Sequence, residues 1–154
     1  MENISYFYNL EDEGNIIKLK WKTKLNSCDN MFNGMEKITE IDISNFDTSN
    51  ADCSFMFSST LATSINLGEF NLSSTVMVDR MFINASRLTT VTAAPGTDWT
   101  QYNWETPQSP FEGCYNIANW DGDIGLTHAN NTKNGGYFGR GEKNWYKYTV
   151  FVKV

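Results

Sequence analysis

The sequence predicts a β-rich α+β solenoid, a short right-handed coil of about four units closed by non-repeat β caps at both ends. Three observations predict it. A Met-Phe pair returns at fixed intervals of 25 residues, as Met31-Phe32, Met56-Phe57 and Met81-Phe82. Apolar residues follow each pair at nearly constant offsets. Most of the polarity comes from Ser, Thr and Asn, and charged residues make up only 19%. That composition favours short strands and turns over long surface helices, which draw on Glu, Lys, Gln and Ala.

A chain of 154 residues is expected to be one domain. The N-terminal cap covers 1–15, the coil 16–125 with an insertion at about 94–110, and the C-terminal cap 126–154. In the cap, "ISYFYNL" is expected to turn at "EDEGN" and pair with "NIIKLKW". In the next strand Ile17, Leu19, Trp21, Thr23 and Leu25 alternate with Lys18, Lys20, Lys22 and Lys24. Two readings of the lysine stripe stay open: protection of a sheet edge, or phosphate binding.

The repeat follows. Ile38 stands six residues after Phe32, and Leu88 six after Phe82. Ile41 and Val91 stand nine after, Ile43 and Ala93 eleven after. The second unit is one residue short, so Ile65 and Leu67 fall one place early, and Phe46 matches Phe70. A degraded fourth unit places Ile117 six and Trp120 nine residues after Phe111. The spacing is that of L-x-x-L-x-L, the strand signature of leucine-rich repeats. The last two apolar positions alternate along a strand and face the core, while the Met-Phe pair closes the opposite wall as one helical turn or an irregular bend. Stacking then joins the apolar faces of coils that cannot bury them alone. Phe32, Phe57, Phe82 and Phe111 are predicted to form one column, and Met31, Met56 and Met81 another.

The unit "IDISNFDTSNADCSFMF" resembles the repeat of BspA-like surface proteins, whose units read roughly "LDLSNFDTSNVTDMSYMF". The resemblance spans residues 16 to 125 and is strongest from Cys28 to Leu88. It implies a leucine-rich-repeat solenoid that acts in adhesion or protein binding, and it implies no catalytic residues.

In such a coil the residues between the inward positions line the open sheet face. Here they are Glu40, Asp42 and Ser44, then Ser64, Asn66 and Gly68, then Thr90 and Thr92, then Asn119, Asp121 and Asp123. Glu40, Asp42, Asn66, Thr92 and Asp121 are the candidate partner contacts on this ladder. The insertion "APGTDWTQYNWETPQSP" offers Trp99, Tyr102 and Trp104. These either fold over the coil as a lid or form a contact patch for a protein or a sugar ring. The C-terminal "WYKYTVFVKV" alternates as a strand. It is expected to cap the coil or to pair with another copy of the chain.

Several chemistries are excluded. The net charge of −6 and the lack of a basic face argue against nucleic acid. One histidine, His128, supports neither a zinc site nor a triad. "DGDIG" begins like a calcium loop, but its twelfth position is Thr132 rather than Glu. "GYFGRGEK" lacks the spacing of a phosphate loop. No enzyme activity and no cofactor are expected. Cys28 and Cys53 share one phase with Val78 after them, which favours free buried thiols over a bridge. No run of the sequence is apolar enough to span a membrane. The N-terminus does not read as a secretory signal, so surface display is expected only from a longer precursor. The expected role is a binding or structural module. A virion head-fibre, decoration or tail-associated component and a carbohydrate-binding module are the alternatives.

Overall fold

Six strands form one mixed sheet in the order β1-β6-β2-β3-β4-β5 in the computed structural model of the chain. They are β1 (Ile16–Lys20), β2 (Glu40–Asp42), β3 (Ser64–Gly68), β4 (Thr90–Ala93), β5 (Phe138–Arg140) and β6 (Thr149–Lys153). The structure describes residues 16–20, 24–44, 46–70, 77–100, 109–125, 128–130, 135–140 and 149–153. The proposed N-terminal hairpin partner at 4–10 lies outside them.

Strands β2, β3, β4 and β5 run parallel, with Ile41 opposite Ile65, Ile65 opposite Val91 and Val91 opposite Phe138. Val152 of β6 joins the same row opposite Ile41. All five side chains are buried. The one-residue deficit of the second unit is absorbed here, and the register then shifts between Asn66 and Gly68 so that Gly68 faces Ala93. Gly68 has φ +55, and a Cβ there would stand 2.2 Å from the Ser44 carbonyl oxygen. Only glycine fits both the left-handed backbone and that approach.

The α+β expectation is overturned. Among the described residues there is no helix, and a single six-stranded mixed sheet stands where a helix-bearing leucine-rich-repeat coil was expected. The reason lies in the Met-Phe segments. A helix would send each amide to the carbonyl four residues back. Here alternate amides go elsewhere. Asn30, Phe32 and Gly34 donate to Ser54, Met56 and Ser58 of the next layer, while Met31 and Asn33 close local turns onto Cys28 and Asn30. Phe55, Phe57 and Ser59 repeat the pattern onto Asp79, Met81 and Ile83. The left-handed residues needed for it recur in phase, at Asn30, Phe55 and Arg80 and at Gly34, Ser59 and Asn84. The wall opposite the sheet is therefore a stack of irregular turns bonded layer to layer.

Between wall and sheet runs the phenylalanine column. Phe32, Phe57, Phe82 and Phe111 stack with centroid separations of 5.7, 5.3 and 5.3 Å and interplanar angles of 5°, 12° and 6°. All four are buried. Offset stacking of this kind contributes about 0.5–1.5 kcal/mol per pair beyond area burial.

Two placements differ from the sequence-based expectation. The C-terminal strand does not extend the far end of the sheet; β6 lies antiparallel between β1 and β2 and is paired on both sides. The fourth parallel strand comes from Phe138–Arg140, while residues 119–123 form turns. In that stretch Asn119 and Gly122 have φ +61 and +98, and Asp121 and Asp123 bond the amides of Asp123 and Gly125. Successive side-chain-to-backbone bonds of this kind compete with a strand ladder.

Candidate functional site

The outward face of the sheet carries two polar rows. Lys153, Glu40, Ser64 and Thr90 are in register in one; Asp42, Asn66, Thr92 and Gly139 are in register in the other. Glu40 and Thr90 are exposed, and Asp42, Ser64, Asn66 and Thr92 are half-buried. The face exists because strand residues alternate, and the intervening Ile41, Ile65 and Val91 are drawn to the core.

Each candidate on this face has a structural engagement. The Lys153 ammonium lies 2.8 Å from Glu40 Oε1, so the one carboxylate of the first row is neutralised by its cross-strand neighbour. Both groups are well exposed, so the pair itself adds little stability. Asp42 accepts from the Ser44 amide at 2.8 Å, and Asn66 accepts from the Gly68 amide at 3.2 Å. These two side chains close the turns that leave β2 and β3. The Thr92 methyl faces Gly139 on β5, where a Cβ would meet it at 3.3 Å.

A row of threonines was not singled out from the sequence. Thr39, Thr63 and Thr89 precede β2, β3 and β4. The Thr63 hydroxyl donates to the Thr39 carbonyl at 3.2 Å, Thr89 to the Thr63 carbonyl at 3.0 Å, and Thr39 to the Lys153 carbonyl at 3.2 Å. The signal was present, since each strand of the repeat is entered through a threonine. Thr63 and Thr89 carry the parallel ladder forward by one bond per layer, and Thr39 ties it to β6.

The insertion contributes differently. Trp99 is only 2% exposed. Its ring meets Phe70 at 5.3 Å and stands edge-on to Phe138 at 4.9 Å. Its amide donates to the Ala129 carbonyl at 2.8 Å. Trp99 is thus a lid residue over the core and offers no surface to a partner. Tyr102 and Trp104 lie outside the described residues.

Asp121 is placed away from the sheet face. The Tyr137 hydroxyl donates to Asp121 Oδ1 at 2.5 Å, and His128 Nε2 lies 3.0 Å from Asp121 Oδ2. The Tyr137 ring stacks on Trp120 at 5.7 Å and on His128 at 5.4 Å. The hydrogen bond from Tyr137 is the main reason the Asp121 carboxyl sits below its ordinary pKa, with the Asp123 amide adding to it. Burial and then the Asp121 contact push the Tyr137 phenol up. Tyr115 stands beside this cluster, 70% exposed and edge-on to Trp120 at 6.1 Å. No spacing in the sequence ties Tyr137 to Asp121; only the return of the chain through β5 does.

Of the lysine stripe, Lys24 is engaged: its ammonium donates to Ser49 Oγ and lies 3.9 Å from Asp47. Among the described residues no group of three His, Cys, Asp or Glu side chains could hold a metal ion. No helix there is long and apolar enough to cross a membrane.

A protein-family model, described as "Mycoplasma protein of unknown function, DUF285", matches residues 2–123. That stretch takes in β1 to β4, the turn wall and the phenylalanine column. No curated protein and no solved structure matches the chain.

Proposed function

Since this chain belongs to the DUF285 family of mycoplasma proteins, we propose that it is a non-catalytic binding module whose outward sheet face meets a protein or cell-surface ligand. One observation carries this reading. Ser64, Thr90, Asn66 and Thr92 make a continuous polar surface of small side chains on a hydrogen-bonded frame. Such a surface is rigid and offers hydroxyl and amide groups at regular strand spacing, which suits a partner that hydrogen-bonds along it. The likeness of "IDISNFDTSNADCSFMF" to the repeat of BspA-like surface proteins supports the same role in adhesion. No residue is assigned a catalytic part.

The test uses the full chain, fluorescently labelled, with cultured animal cells. Saturable binding is expected. The paired change Ser64→Arg with Thr90→Glu puts two bulky, mutually compensating side chains on the face and leaves the core alone. It is expected to weaken binding by about tenfold or more at an unchanged melting temperature. Absence of saturable binding, or equal binding by the variant, would sink the proposal.

A further inference from the structure

We infer that Cys28 and Cys53 are a disulfide-forming pair, closed by exchange with a small-molecule disulfide, that staples the first layer of the chain to the second. Ser27 and Asp52 form a parallel bridge, and the Cys28 amide donates to the Asp52 carbonyl at 2.7 Å. The two cysteines that follow are therefore neighbours one strand spacing apart, roughly 4.8 Å. That lies inside the range of about 4.4–6.8 Å between Cα atoms that a disulfide spans. Both side chains are buried on the same side of the turn wall, and both are free thiols here.

The pairing is unique. The next layer repeats the backbone contact, with the Cys53 amide on the Met77 carbonyl at 2.9 Å, but carries Val78 in place of a thiol. Cys114 is held elsewhere, with its sulfur 3.0 Å from the Phe82 carbonyl oxygen. Burial pushes its thiol up to about 12. Within the pair, the contact from Cys53 depresses the Cys28 thiol, and the same contact together with burial raises Cys53. Either sulfur of the pair can make the first attack, with the same balance of atoms and electrons.

With glutathione disulfide as oxidant, a local opening of the turn exposes Cys28. Its thiolate attacks one glutathione sulfur, and the glutathione S–S bond breaks to release one thiolate. That thiolate takes the Cys53 proton. Cys53 then attacks the Cys28 sulfur of the mixed disulfide and expels the second glutathione, which takes up the Cys28 proton from solvent. One protein S–S bond replaces one reagent S–S bond. The protein loses two electrons and the reagent gains them.

The experiment equilibrates the full chain in oxidised and in reduced glutathione, then alkylates it after acid denaturation. The oxidised sample is expected to keep one free thiol, on Cys114, and to yield a Cys28–Cys53 linked peptide. Its melting temperature is expected to rise by several degrees over the reduced sample. Cys53→Ala should remove both differences. To separate a closed door from an absent pair, a second sample is oxidised in mild urea and refolded. Three free thiols in that sample, or a bridge that lowers the melting temperature, would overturn the inference.

Discussion

At the scale of single residues, the phenylalanine column and the left-handed turn positions decide most of the local energetics. Phe57 is flanked by Phe32 and Phe82 at 5.7 and 5.3 Å and is fully buried. Truncating it leaves a cavity with a ring on each side, so Phe57→Ala should cost about 3–5 kcal/mol by chemical denaturation. A loss below about 1 kcal/mol would mean that the rings do not support one another. The turn positions predict a gain. Ser59 has φ +53 and is exposed, whereas its counterpart one layer earlier is Gly34 at φ +68. Ser59→Gly should raise stability by roughly 1 kcal/mol, because the left-handed backbone costs a Cβ residue about that much. A drop in stability would show that the Ser59 side chain has a role beyond the 3.4 Å contact of its hydroxyl with that of Ser58.

At the scale of elements, the turns at 119–125 and strand β5 depend on one another. Asp121 accepts from the Tyr137 hydroxyl, and that bond keeps its carboxyl below the ordinary value. A carboxyl with a depressed folded pKa contributes stability above its unfolded pKa, and loses it as pH falls through the folded one. Tyr137→Phe should therefore lower the melting temperature near neutral pH. The gap from the wild type should shrink as the pH is taken from about 5 to about 2. A gap that stays constant over that range would place the effect in ring packing instead. The composition "NWDGDIG" signals turns clearly enough, yet the repeat spacing suggested a strand there. The turn chemistry won, because each aspartate had a backbone amide two residues on to hold.

Among the described strands, β6 ties two others together. β6 is the strand to which β1 is joined in the sheet, and it also covers the edge of β2. The gap from Arg140 on β5 to Thr149 on β6 crosses four strand spacings, roughly 19 Å, well within the reach of the intervening chain. Removing residues 149–154 should release β1 and bare the β2 edge. The truncated chain is expected to lose cooperative unfolding or to aggregate, as followed by circular dichroism and light scattering. A soluble product that melts within a few degrees of the full chain would show that β6 is a dispensable cap.

The sequence by itself determined the layers: which phenylalanines stack, which of Ile41, Ile65 and Val91 face inward, and that small polar side chains cover the opposite face. These follow from period and alternation, which are local and repeat along the chain. It also marked Trp99 as a residue to watch without deciding between lid and contact. Tertiary structure alone decided the rest. It gave the fourth parallel strand to Phe138–Arg140, put Thr149–Lys153 beside β2, made Trp99 a core residue through Phe70 and Phe138, and decided the Met-Phe wall, open between a helical turn and an irregular bend, as a ladder of turns. Each of these depends on a partner far along the chain. An amide that can bond either its own turn or the next layer takes the layer only once that layer exists.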